Sequence, residues 1–331
     1  HVLSADMLVR LHPAQGSNSH ADVREALWLA AGEDWEWRLG LTKVFWGVAE
    51  GWNPVDVINQ RDGREGDSDE DKLGQPLAQG TLIRPWGTVD LLWLPWFRPR
   101  TFPGVSQRLR PSLPVATDRA TYASAAGTWA QDVAVRYRHN VGVVDLGLSA
   151  FHGTQRDPEL RLGLDAAGQP WLVPHYPRMT QLGVDVQATL DSWLWKLESA
   201  ARRGDDMDAL QFSGGFEYTF VGIGGTDKDL GVIGELMWDE RGALANHPFQ
   251  GDMLTGLRLV FNDEASSEVL LGVIQDLDHG GAVVNLESST RWDDHWKVAL
   301  DGRAYINPDP RDMLYGVRND HYVKLELSYH F

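Results

Sequence analysis

Three groups of side chains in this sequence have types and spacings that could do chemistry. Asp276-Leu-Asp-His-Gly-Gly281 gathers two carboxylates and an imidazole, the equipment for proton transfer. Gly280 and Gly281, however, supply the positive-φ conformations of a tight turn, so a structural role in a turn is expected there. Asp67, Asp69 and Asp71 alternate as at the start of a calcium loop, but position six of that loop is Lys72, not Gly, and the closing Glu is missing. A solvated acidic tip is the expectation. The third group is spread along the chain: charged side chains that alternate with apolar ones over long stretches. Among enzyme signatures, neither a Gly-x-Ser-x-Gly elbow nor a His-Glu-x-x-His helix occurs, and the 11 His make no ligand spacing. With no Cys in the 331 residues, disulfides, thiolate metal sites and a Cys nucleophile are all excluded. No catalytic residues, no cofactor and no metal are therefore expected.

The elements that must carry the alternating charges are strands, because side chains of a strand point to opposite faces with period two. Trp193, Trp195 and Leu197 oppose Lys196 and Glu198; Phe216, Tyr218 and Phe220 oppose Glu217 and Thr219; Leu182, Val184 and Val186 oppose Gln181 and Asp185. Strands are expected near 2–12, 22–31, 34–46, 79–85, 88–97, 128–138, 141–152, 178–190, 192–203, 209–221, 229–239, 252–262, 267–277, 281–292, 294–306 and 320–331. The pair 159–165 and 169–176 reads either as a hairpin within a loop or as two more strands. Turns after even-numbered strands are mostly short, whereas 47–78, 98–127, 153–177 and 307–319 are long. That asymmetry, and amphipathic runs of ~10 residues, fit strands that cross a bilayer at a tilt. The 15 Trp add to this. Trp35, Trp37, Trp86, Trp93, Trp96, Trp129, Trp193, Trp195, Trp238, Trp292 and Trp296 lie near expected strand ends, where an indole settles at a lipid–water boundary.

The net charge of −17 argues against nucleic acid as a partner. On the strands, the apolar face would meet lipid and the charged face would line a wet interior. Arg10, Arg38, Arg136, Arg138, Asp145, Asp185, Lys196, Glu198, Glu217, Arg258, Glu287, Arg291, Lys297, Asp301 and Arg303 are the candidate pore-lining residues. For any one of them, the plainer reading is a wall ion pair that holds the shape. Asp132 and Glu235 fall on the same face.

The last twelve residues, Asp320-His-Tyr-Val-Lys-Leu-Glu-Leu-Ser-Tyr-His-Phe331, put Val323, Leu325, Leu327, Tyr329 and Phe331 on one face of a strand that closes in aromatics. This ending resembles the C-terminal strand of porin-type barrels of the Gram-negative outer membrane. The resemblance implies a single-domain, all-β chain over 1–331: a transmembrane antiparallel up-and-down barrel of about sixteen strands, with fourteen to eighteen open. It further implies passive diffusion of small hydrophilic solutes, contact with outer-membrane lipid and lipopolysaccharide, and the trimeric habit of porins. In general porins the third outer loop narrows the pore. Here that loop, 98–127, carries Arg98, Arg100, Arg108, Arg110 and Arg119, so an inward fold would favour anionic solutes. An outward loop would offer the same guanidinium groups to lipopolysaccharide phosphates. Val44-Phe-Trp-Gly-Val-Ala-Glu-Gly-Trp-Asn-Pro-Val-Asp-Val-Ile resembles a short segment of uncharacterised porin-like barrels, and Val55, Val57 and Ile58 are expected to anchor that loop in the mouth. A barrel hydrolase of lipid or peptide and an export pore for an acidic polymer are the rival readings. An N-terminal plug is not expected, since the first strand begins by residue 2 or 3.

Overall fold

A computed structural model describes residues 1–11, 19–65, 71–165, 167–205, 207–245 and 247–331. Among these residues nineteen strands occur in this order: β1 (Val2–Arg10), β2 (His20–Ala31), β3 (Trp35–Thr42), β4 (Gln75–Arg84), β5 (Gly87–Leu94), β6 (Thr121–Tyr122), β7 (Asp132–Val141), β8 (Val144–Thr154), β9 (Glu159–Leu164) and β10 (Pro170–Tyr176). The series continues with β11 (Arg178–Leu190), β12 (Trp193–Gly204), β13 (Ala209–Phe220), β14 (Asp229–Asp239), β15 (Gly251–Val260), β16 (Glu268–Asp276), β17 (Ala282–Arg291), β18 (Trp296–Ile306) and β19 (Tyr322–Tyr329). Among the described residues no helix is long and apolar enough to cross a membrane, which does not bear on crossing by strands.

Sixteen strands form one antiparallel sheet in which each is bonded to its neighbour in sequence order, β6, β9 and β10 being skipped. These sixteen are the strands expected from alternation. The bounds differ most at three strands: β3 stops at Thr42, β4 starts already at Gln75, and β7 starts at Asp132 after a 3-10 turn at Gly127–Trp129. The skipped strands make a separate three-stranded sheet. The β9–β10 hairpin there is the one left open by the sequence, and β6 adds in parallel to β10.

The chain divides into two compact units. The first contains His1–Gly47, Pro54–Asp185 and Ser199–Leu210; the second contains Val48–Asn53, Val186–Glu198 and Gln211–Phe331. In both, burial is inverted relative to a water-soluble protein. On β5 and β7 of the first unit, Leu91, Trp93, Val133 and Val135 are exposed, whereas Asp90, Asp132 and Arg136 are buried. On β12 and β14 of the second, Trp193, Trp195, Leu236 and Trp238 are exposed, whereas Lys196, Glu198 and Glu235 are buried. Of the eleven Trp assigned to strand ends, all except the half-buried Trp96 are exposed.

The apolar core of the first unit lies at the long-loop end of the polar face. Leu77, Leu92, Leu94, Ala134, Phe151 and Met179 come from strands there, and Trp46, Val55, Val57 and Ile58 come from the connection 43–74. Val55 and Ile58 are 0% exposed. The anchoring expected of Val55, Val57 and Ile58 is thus present. It removes from water a run of apolar side chains that a solvated loop would leave exposed.

Candidate functional site

The connection 43–74 is held in place by side chains of its own and of its neighbours. In the first unit the buried Asn59 ties its base: Oδ1 accepts the Val44 N–H at 2.7 Å, and Nδ2 donates to the carbonyls of Thr42 and Leu73, both at 2.9 Å. Asp62, fully buried, accepts from Arg24 at 2.6 Å, from Arg64 at 3.2 Å and from the Thr101 hydroxyl. Burial pushes its carboxyl up, but the hydrogen bonds from Thr101, Arg64 and Arg24 and the Arg64 charge prevail and hold it down at about 2. The Arg156 guanidinium, buried beside Phe97 and Phe151, donates to the Ile58 carbonyl at 2.8 Å and to Asp132 at 2.8 Å. Burial pushes this guanidinium down from its ordinary value, against the Asp132 charge.

Further along the polar face of the first unit, Arg136 donates to Asp185 at 2.9 Å with the Trp46 ring 5.2 Å from its guanidinium. Arg138 bonds Asp90 at 3.0 Å. These are wall ion pairs. Arg38 bonds its strand neighbour Glu36 at 2.6 Å, Arg10 bonds Glu65, and Asp145 accepts from Asn140 at the β7–β8 turn.

In the second unit the segment Val48–Asn53 meets strand carboxylates through its main chain. Glu198, 0% exposed, accepts the N–H groups of Val48 at 2.6 Å and Ala49 at 2.8 Å, and the Asn53 side-chain amide at 2.8 Å. Glu235 accepts those of Glu50 at 2.9 Å and Gly51 at 2.8 Å. Consecutive N–H groups turned to one side make a concave anion site, and here the chain's own carboxylates fill it. Gly51 packs closely, since a Cβ there would stand 2.9 Å from Met237 Sδ and push that flexible side chain aside. Trp52 stacks on His247 at 4.4 Å between ring centroids, and His247 is bonded in turn to Asp239 at 2.8 Å. The Glu50 side chain projects from this segment to Arg258 at 2.7 Å and Lys196 at 3.5 Å, and Arg258 also reaches Glu217 at 3.3 Å.

The remaining candidate charges of this unit lie on β17 to β19. Glu287 faces Asp301 in register, and Asp301 faces Lys324; Arg291 faces Lys297; Arg303 lies opposite Asn285. Glu287, Arg291 and Lys297 are exposed, and Asp301 and Arg303 half-buried.

The basic connection 98–127 has a different set of neighbours from 43–74. Its main chain bridges Asp62 at Thr101 and β10 at Val115. Arg98 bonds Asp22 and the Gly74 carbonyl, and Arg100 bonds Asp157 at 3.3 Å. Arg110 and Arg119 donate to the carbonyls of Pro111 and Leu164, and Arg108 is exposed. Of these two connections, the one whose main-chain N–H groups meet strand carboxylates in the described residues is therefore 43–74.

Asp67 and Asp69 lie outside the described residues. His20, Asp62 and Glu65, which the sequence did not single out, bring ligand atoms within 4.8 Å of one another. Arg10, Arg24 and Arg64 already pair these carboxylates. Asp276 accepts the N–H groups of Asp278 and His279 at 2.8 and 2.9 Å and so forms the expected turn.

No protein-family model matches the chain, and no curated protein does. Among solved structures it is similar to OccK8 (OprE) of Pseudomonas aeruginosa at 12% identity and a TM-score of 0.47, over 87% of this chain and 77% of that one. The reading of the fold rests on the strand order and burial found in this chain itself.

Proposed function

We propose that this chain is a β-barrel of the outer membrane of a Gram-negative bacterium and conducts small hydrophilic solutes passively. The observation that carries this reading is the inversion of burial on β5, β7, β12 and β14: apolar side chains on one face are exposed, while Asp90, Asp132, Arg136, Lys196, Glu198 and Glu235 on the other are buried. Water would oppose the first arrangement. Lipid removes the objection, whereas a charge turned to lipid at mid-membrane would cost ~2–4 kcal/mol. Sixteen sequential antiparallel strands can hydrogen-bond their backbone within a bilayer only as a closed ring, because an open edge in hydrocarbon leaves N–H and C=O groups unpaired. The half-exposed charges on β15 and on β17 to β19 then face a wet lumen.

A preference for anions is the finer part of the reading. It is supported by Arg110 and Arg119, whose guanidinium groups meet carbonyls, and by the partly exposed Arg138. Reconstitution into a planar bilayer tests both parts. Stepwise ohmic conductance that passes small sugars is expected, with a reversal potential in a KCl gradient on the chloride side. Absence of conductance would remove the channel, and a reversal potential on the potassium side would remove the anion preference alone.

A further inference from the structure

We infer that the segment Val48–Asn53 carries the charge filter of this channel, and that Glu50 is its specificity-determining residue. The inference deepens the channel reading and rests on it. Three observations place the filter. The segment is fixed from behind: two buried carboxylates, Glu198 and Glu235, take four consecutive main-chain N–H groups from Val48 to Gly51. It is fixed at its end, where Trp52 is buried against His247. Glu50 is the charged residue of the segment, and its side chain is partly exposed, with Arg258 and Lys196 as its partners.

The local charge gives the direction of the effect. Lys196 and Arg258 supply two positive charges, and Glu50, Glu217 and Glu235 lie within ion-pair distance of them. Glu235 and Glu198 are occupied by the main chain of the segment, and Glu217, which shares Arg258 with Glu50, is the less exposed of the two, its side chain 12% exposed against 27%. Glu50 is therefore the carboxylate whose removal most changes the charge a passing ion meets, because it stands on a fixed support beside water. A rigidly held charge acts on a solute without first having to be ordered. Converted to Gln, it would leave Lys196 and Arg258 with one carboxylate fewer and favour anions. Glu198 and Glu235 are positioning residues: they act on the solute only through where they hold Glu50.

The test is the reversal potential of the full chain in a planar bilayer under a KCl gradient. Glu50→Gln is expected to raise the permeability ratio of chloride to potassium about threefold, the effect of one charge at a few ångströms in a largely aqueous surrounding. Asp301→Asn, on β18 and apart from the segment, is expected to shift it less. In a Glu198→Gln/Glu235→Gln background the Glu50→Gln shift is expected to shrink, because the segment is no longer held. Should that background fail to assemble, Trp52→Ala, which removes the stacking on His247, releases the segment at its end instead. No shift from Glu50→Gln, an equal shift from Asp301→Asn, or a shift undiminished when the segment is released each overturns the filter while leaving a conducting channel. A wild-type chain that does not conduct at all overturns the channel reading, and the filter with it.

Discussion

The amide N–H of Val48 donates to Oε1 of Glu198 at 2.6 Å, across 150 positions of sequence. A fully buried carboxylate would carry a large desolvation penalty unless compensated. Here the compensation is the main chain of a loop. The loop owes its position to that carboxylate, and the carboxylate owes its tolerated burial to the loop.

Seating of the connection 43–74 in the first unit depends on apolar contact as much as on hydrogen bonds. Ile58 is 0% exposed within the cluster shared with Leu92 and Phe151. Ile58→Ala is expected to cost about 2–5 kcal/mol, appearing as faster tryptic cleavage after Arg61 and Arg64 in the folded protein. Unchanged cleavage would mean the cluster does not hold the loop.

Asp62 makes the seating pH-dependent. Its carboxyl is held at about 2, below the ordinary 3.8. A depressed carboxyl contributes stability that is fully present above the ordinary value and is lost as pH falls through the folded one. The contribution is about 2 kcal/mol, with the side chain fully buried. Protection of the loop from an acid-active protease such as pepsin should therefore weaken between pH 4 and pH 2 in the wild type, and hardly change over that interval in Asp62→Asn. Equal pH dependence of the two proteins would refute the assignment.

Arg156 joins the carbonyl of Ile58 to Asp132, and Asp132 is also bonded by Arg178 at 3.1 Å. Removing one partner of a buried pair is strongly destabilising, although Arg178 remains to share the Asp132 charge. Arg156→Met is expected to cost about 3 kcal/mol, read as a lower urea midpoint for unfolding in lipid vesicles. A midpoint within error of wild type would show that Arg178 alone suffices.

The outward face offers a separate check. Leu91 lies mid-strand on β5 and is 61% exposed. Leu91→Arg should lower stability in vesicles by ~2–4 kcal/mol, while Leu91→Phe leaves it nearly unchanged. If both variants behave alike, that face does not meet hydrocarbon.

All sixteen strands of the main sheet were legible because alternation is a local property: the face of Trp195 is set by Lys196 beside it. The loops carry no such period. The apolar run from Val44 to Ile58 showed that this loop is anchored, but its anchors, Glu198 and Glu235, lie 150 and 185 positions away. Glu50, Arg24 and His247 matter for the same long-range reason and passed unremarked. Trp46 and Trp52, which were not among the strand-end residues, are both buried, because the loop bearing them is folded against protein.

The long separation between Val48 and Glu198 also orders events during biogenesis. Residues 48–51 are synthesised well before β12 and β14, which bear their acceptors. The segment must wait, unsatisfied or hydrated, until the C-terminal half arrives, and closing so large a loop is slow. The segment is therefore seated late, by tucking in a piece of chain rather than by pairing any further strand.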